Sequence, residues 1–300
     1  MKRIIYIALF MLISGSTAFA QGPVAERALQ AYQGNEWDKA ARIIDSASVA
    51  SGEAADPFTW HLRGFIYKDI YKIAQKENRN STARAIAIES FYKSNELDKA
   101  GDFTQRNNGS IRSLVISYFN DAVRLMDTTN YMESEKFYLE YKRQMKRFAP
   151  ATDFMKSDVE YYNAFATILV KKFNRMEKGA DVFFNKAIEV YQKVIELDSN
   201  NCLAHYQIGI LYYNKGVEIL LNLDPTTPLE EIIKSQEICV ELFQKSKPHM
   251  YKAWELQNCK DINPLEIAEG LSGIHYQLNE PDKFKYWEDL KKKLQEGEDK

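Results

Sequence analysis

The feature that most constrains the fold is a pair of amphipathic helical patterns in the segment Ala187–Gly216. Its first half carries apolar residues at the helical spacing i, i+4, i+7 and i+10, namely Ala187, Tyr191, Val194 and Leu197. The polar residues Asp198–Asn201 are typical of a turn. A second pattern follows, with Gly209 and Tyr212 on its inner face. The segment therefore predicts two helices joined by a short turn.

Comparable patterns recur over most of the chain, and each contains a small residue that would let two helices approach closely. These small residues are Ala28, Gly64, Ala122, Ala166 and Gly209, separated by steps of 36, 58, 44 and 43 residues. The chain of 300 residues contains only 13 Gly and 8 Pro, which favours long helices over a turn-rich β-sandwich. The sequence therefore predicts a degenerate array of helix pairs.

The order of aromatic and small residues resembles the tetratricopeptide repeat, a helix–turn–helix unit of about 34 residues. Trp60, Gly64 and Tyr67 match the pattern of its first helix, and Trp37, Ala40 and Ile44 match that of its second. The resemblance implies an all-α, right-handed superhelix (an α-solenoid) of about six such units. The alternative is a generic all-helical bundle with ordinary amphipathic spacing.

We expect residues 1–20 to be a signal peptide, residues 21–296 to form the repeat array and residues 297–300 to be a charged tail. The expected units are 23–55, 57–99, 110–150, 155–200, 201–257 and 264–296. Insertions around Ile73–Ala83, Arg175–Phe183 and Leu221–Ser246 would explain the long steps, and the third should start a new helix at Leu229. In the last unit either Ser272 or Gly273 fits the small position.

The N-terminus has the three parts of a secretory signal peptide. Lys2 and Arg3 precede the uncharged apolar run Ile4–Ile13, and Ala18-Phe19-Ala20 fits a signal peptidase site. The run of ten residues is shorter than the ~18–20 needed to span a bilayer. We therefore expect export to the periplasm, or secretion or association with the envelope; an uncleaved membrane anchor is the alternative.

Charge argues against nucleic acid as a partner. Two of the 40 basic residues lie in the predicted signal peptide. The remaining chain therefore has 38 basic and 42 acidic residues, which gives a formal charge of −4. Phosphate binding requires clustered Lys and Arg. No second apolar run is long enough to predict a membrane span in the mature chain.

The cysteine pattern does not decide whether the three cysteines are free or paired. Cys202, Cys239 and Cys259 are odd in number, so they cannot all pair within one chain, and none forms a C-x-x-C motif. Buried thiols are the default expectation. A bridge between Cys239 and Cys259 is an alternative that spacing does not settle.

Motifs that would indicate catalysis, a cofactor or a metal site are missing from the sequence. The four histidines, His61, His205, His249 and His275, lack the spacing of a metal site. Ser90–Lys93 matches S-x-x-K, but it lies in a predicted repeat helix without an accompanying K-T-G. We therefore expect a non-enzymatic protein without cofactor or metal.

The resemblance implies that the first helices of the units line a groove for a peptide or a partner helix. The corresponding positions are Phe58, His61, Phe65, Leu203, Tyr206, Ile210 and Tyr213. We expect a protein or peptide partner, as for an exported scaffold, and leave the oligomeric state open. A glycan or cell-wall fragment stacked on groove aromatics is the alternative, motivated by an aromatic content of 13%.

Gly209 gives the sharpest structural expectation. Because Gly in a helix costs about 1 kcal/mol relative to Ala, its presence suggests a close contact with the helix Ala187–Leu197. Under that assignment Gly209→Ala should be tolerated, whereas Gly209→Leu should cost about 1–3 kcal/mol.

Overall fold

The computed structural model describes residues 23–127, 129–175, 181–224, 226–256, 259 and 262–298. These residues form twelve α-helices and no β-strand, which confirms the all-α class. The helices are α1 (Pro23–Gln33), α2 (Trp37–Ala47), α3 (Pro57–Asp69), α4 (Ala83–Leu97), α5 (Thr104–Arg124), α6 (Tyr131–Phe148), α7 (Met155–Phe173), α8 (Asp181–Leu197), α9 (Cys202–Leu221), α10 (Leu229–Leu256), α11 (Pro264–Gln277) and α12 (Pro281–Glu298). The predicted signal peptide lies outside the described residues.

Successive helices pack in pairs. Five pairs share extensive contacts: α1 with α2, α3 with α4, α7 with α8, α9 with α10 and α11 with α12. Between α5 and α6, the rings of Tyr118 and Phe137 stack with their centroids 6.3 Å apart. None of the described helices is both long and apolar enough to cross a bilayer.

Several helix starts follow from local sequence chemistry. Asp56 accepts a hydrogen bond from the Phe58 amide, and Pro57 occupies the first turn of α3, where its missing N–H is harmless. Asn201 caps α9 in the same way by accepting from the Ala204 amide at 3.1 Å. Asn263 caps α11, where it accepts from the amide of Leu265.

The chain divides into two compact units. Within the described residues, unit 1 comprises the chain up to Val123 together with Glu135–Ala151. Unit 2 comprises Arg124–Ser134 and the chain from Thr152 onward.

A buried arginine joins α4 to α5 in unit 1. The Arg84 side chain is only 1% exposed, and its Nη1 donates to Asp121 Oδ2 at 2.7 Å and to Ser117 Oγ at 3.0 Å. Its guanidinium lies 3.6 Å from the ring centroid of Tyr118. A buried charge is tolerated when it is paired and hydrogen-bonded, so these contacts fix how the two helices meet.

In unit 2, Met250 of α10 is fully buried between two glycines. A Cβ added to Gly209 of α9 would lie 2.6 Å from Met250 Cγ and Sδ, and one added to Gly270 of α11 would overlap Met250 Cε. The expectation that Gly209 contacts the helix Ala187–Leu197 is therefore wrong. That helix, α8, meets α9 elsewhere: Asp181 pairs with Lys215 at 2.9 Å. Gly209 faces α10 because α9 and α10 form one helical hairpin.

The predicted insertions differ in structure. The first follows a π-helical turn, Ile70–Ala74, and leads to α4 through residues with positive φ, Lys76 and Glu77. The second lies largely outside the described residues. The third confirms the new start at Leu229: α10 runs for 28 residues and passes Pro248 without ending.

Two of the three cysteines are paired. Cys202 at the start of α9 forms a disulfide with Cys259, with their Cα atoms 5.3 Å apart. The alternative bridge between Cys239 and Cys259 is therefore wrong. Cys239 is a buried thiol that donates to the Gly216 carbonyl at 3.3 Å, and burial raises its pKa. Cys239 therefore matches the expectation of a buried thiol, whereas Cys202 and Cys259 do not, because they are paired.

Gly209→Ala should destabilise the protein by about 1–3 kcal/mol, because its methyl group would overlap Met250, whose backbone N lies only 3.2 Å from that position. Gly109→Ala is the matched control: it also lies within a helix, but a Cβ there meets nothing within 4 Å. It should be neutral or stabilising by up to about 1 kcal/mol. Urea unfolding measures both, and equal stability of the two variants would contradict the packing described.

The double variant Cys202→Ala/Cys259→Ala should lose about 2–4 kcal/mol, since the bridge restricts the unfolded chain across 57 residues. Wild type and Cys239→Ala should lose stability when a reductant is added, whereas the double variant should not respond. Urea unfolding with and without reductant tests this. A wild-type protein that is insensitive to reductant would contradict the pairing.

Candidate functional site

The three predicted groove residues of unit 1 lie on α3 and contact one another. His61 is 4.8 Å from Phe65 and 6.5 Å from Phe58 between ring centroids. Phe103, which precedes α5, packs onto the same rings at 4.6 Å from His61 and 6.0 Å from Phe58. All three predicted residues are half-buried. Much of their ring surface is therefore used inside unit 1.

His61 is held neutral by its surroundings. Its Nδ1 lies 2.7 Å from Asn107 Oδ1, and Asn107 in turn donates to Asn95 Oδ1 at 2.8 Å. Burial lowers the pKa of His61 to about 4, although its hydrogen bond to Asn107 opposes this shift. Neutral His61 therefore donates through Nδ1 and extends a chain of polar side chains between α3, α4 and α5.

In unit 2, two of the predicted groove residues on α9, Tyr206 and Tyr213, contact α11. Tyr206 is 9% exposed, and its hydroxyl donates to Glu266 Oε2 at 3.0 Å. Burial, and then the Glu266 carboxylate, raise the pKa of Tyr206. Tyr213 lies so close to Gly273 that a Cβ there would overlap its hydroxyl. These contacts bring one face of α11 beside the predicted groove residues.

A continuous surface follows from this arrangement. We call it the α9–α11 face, and it consists of Leu203, Tyr206, Ile210 and Tyr213 from α9 and Glu266, Glu269, Gly273 and Tyr276 from α11. Leu203 and Ile210 are half-buried, Glu266 and Glu269 are exposed, and Tyr276 is 66% exposed. The α11 residues are spaced by three, four and three positions, which places them along one side of a helix.

The structure also separates the two residues that could fill the small position of the last unit. Ser272 is buried and donates to Glu288 of α12 at 2.5 Å, so it faces the partner helix of its own pair. Gly273 faces Tyr213 of α9 instead. Ser272 thus occupies the position that Gly209 has in α9. With Ser272 aligned on Gly209, the sequence would also have predicted Glu266 and Tyr276 as groove residues. Phe103 and Asn107, which contact His61, lie outside any sequence pattern that could have predicted them.

Among the described residues, no three His, Cys, Asp or Glu side chains are arranged to hold a metal ion. His205 and His249 form a pair across α9 and α10, with their Nδ1 atoms 3.1 Å apart. Ser90 is buried, donates to the Ile86 carbonyl and accepts from Arg63. Its hydroxyl is therefore engaged in structural hydrogen bonds.

The protein should lose stability as pH falls from about 6.5 to about 4. Burial lowers the pKa of His61 and of His249 to about 4 from 6.5, so the unfolded chain binds more protons in this window. Folding stabilisation from these groups is complete above pH 6.5 and is lost toward pH 4.

His61→Gln should reduce the slope of unfolding free energy against pH by up to about 1.4 kcal/mol per pH unit near pH 5. Urea unfolding at several pH values measures the slope. An unchanged slope in the variant would show that His61 titrates normally.

The matches to known proteins bear on the same part of the chain. A family model described as TPR repeat matches residues 184–216, which covers most of α8 and the first fifteen residues of α9. No curated protein matches the chain at a significant level. Repeats of this kind are typical of protein-interaction scaffolds. The segment that spans α8 and the start of α9 is therefore similar to a tetratricopeptide repeat, within a chain whose described helices pack in pairs.

Proposed function

We propose that this protein is an exported, non-enzymatic scaffold that binds a protein or peptide partner across the α9–α11 face, in the periplasm or at the cell envelope. The observation that carries the proposal is the position of this face. It begins on α9, within the matched repeat, and continues on α11 to a largely exposed tyrosine, Tyr276.

The chemistry of the face suits a peptide or protein chain. Aromatic side chains with one polar end are enriched where protein partners bind, because they bury a large apolar area and still offer a hydrogen bond. Tyr206 is fixed by Glu266, so little conformational freedom would be lost there on binding. The neighbouring Leu203 and Ile210 supply aliphatic surface.

Two features support export. The N-terminal sequence has the charged, apolar and small-residue parts of a signal peptide. The disulfide between Cys202 and Cys259 is of a kind that persists in oxidising compartments such as the periplasm.

The glycan alternative has less support. Carbohydrate stacking needs open aromatic rings, but the tryptophans make internal contacts: Trp37 with Tyr32, Trp60 with the Ala54 carbonyl, and Trp254 with Trp287. We therefore favour a protein or peptide partner.

Co-purification from an envelope extract tests the binding face. Wild type should recover a partner, and Tyr276→Ala should weaken its binding about tenfold or more, as for a central contact residue. Tyr286→Ala is the matched control, because Tyr286 is 60% exposed but lies on α12, outside the face. Equal recovery with both variants would place the binding site elsewhere.

Cell fractionation tests export separately. The protein should be found outside the cytoplasm with an N-terminus at Gln21. A cytoplasmic protein that retains its first residues would contradict export without affecting the binding face.

A further inference from the structure

The first half of α10 carries a mainly apolar stripe that remains exposed in the described part of the chain. Leu229, Ile233, Gln236 and Val240 are spaced by four, three and four residues, so they lie within a narrow arc of α10. Leu229 is 72% exposed, Ile233 48% and Val240 40%. We call these four residues the outer stripe.

The stripe continues a face of α10 that is covered further along the helix. Lys247 pairs with Glu280 at 3.0 Å, and Tyr251 hydrogen-bonds His275 Nε2 at 2.8 Å. These contacts to α11 and to the turn after it lie in the second half of α10. Because α11 is only 14 residues long and α10 is 28, the first half of α10 extends past it. The outer stripe is therefore the uncovered part of a helix-packing surface.

The end of α9 runs beside the first half of α10. Gly216 of α9 packs against Phe243 of α10, so the residues after Gly216 run beside the first half of α10. Leu221, the last residue of α9, is 79% exposed. An exposed cluster of large aliphatic side chains on a folded protein marks an interaction site.

The charged residues beside the stripe indicate which kind of partner it can bind. The segment Leu229–Glu241 contains four Glu and one Lys. Glu230 and Glu237 border the stripe on the side away from the buried face of α10, as their positions on the helix show. A second copy of this chain would bring the same carboxylates together, and an anionic membrane surface would be repelled.

We propose that the outer stripe binds an amphipathic helix of another protein whose apolar side is flanked by Lys or Arg. The four stripe residues are spaced by four, three and four positions, which matches the seam between two packed helices, with Gln236 as its one polar member. A basic flank would face Glu230 and Glu237 across that seam. This site is separate from the α9–α11 face and does not depend on its function.

Two synthetic peptides of about 20 residues test the proposal. Both carry Leu and Ile at helical seam spacing, but one has Lys and the other Glu at the flanking positions. Fluorescence anisotropy with the full chain should show binding of the Lys peptide and at least tenfold weaker binding of the Glu peptide.

Matched variants of the protein locate the site. Ile233→Gln should weaken binding of the Lys peptide about tenfold, whereas Ile238→Gln should not, because Ile238 has similar exposure but lies on the opposite side of α10. Glu230→Lys/Glu237→Lys should reverse the preference between the peptides. Since all four residues are exposed, circular dichroism should be unchanged.

Three results would overturn the proposal. The first is equal binding, or no binding, of the two peptides. The second is an equal loss of binding in Ile233→Gln and Ile238→Gln. The third is a chain dimer in sedimentation velocity that Ile233→Gln converts to monomer, which would make a second copy the occupant.

Discussion

The structure depends on close contacts between glycines on one helix and bulky side chains on its neighbour. Phe91 of α4 packs over Gly64 of α3, and Met250 and Phe243 of α10 pack over Gly209 and Gly216 of α9. A Cβ at any of these glycines would lie less than 3 Å from the opposing side chain. Because the interior is close-packed, each contact fixes the distance and register of a helix pair.

The same kind of contact also forms the α9–α11 face. Tyr213 of α9 lies over Gly273 of α11, and Tyr206 reaches Glu266, so consecutive first helices are held side by side. In a repeat protein each unit contacts mainly its neighbours, and a surface extends as units are added. The α9–α11 face is one such surface. The outer stripe lies on the part of α10 that extends past the end of α11.

Unit 2 is further constrained near the start of α9. Asn201 caps the helix, Cys202 is bridged to Cys259, and His205 lies against His249 one turn later. The bridge makes the stability of this region sensitive to reduction, and burial lowers the pKa of both histidines, which makes it sensitive to acid.

The sequence by itself determined the helices, because apolar spacing, capping residues such as Asp56 and Asn201, and the small residue Gly209 are local features. It also placed Leu203, Tyr206, Ile210 and Tyr213 on one helix. Only the tertiary structure decided that Gly209 faces Met250, that Cys202 pairs with Cys259, and that Phe103 covers His61. These contacts join residues 41, 57 and 42 positions apart, and their partners depend on how whole helices pack. No local pattern specifies that packing.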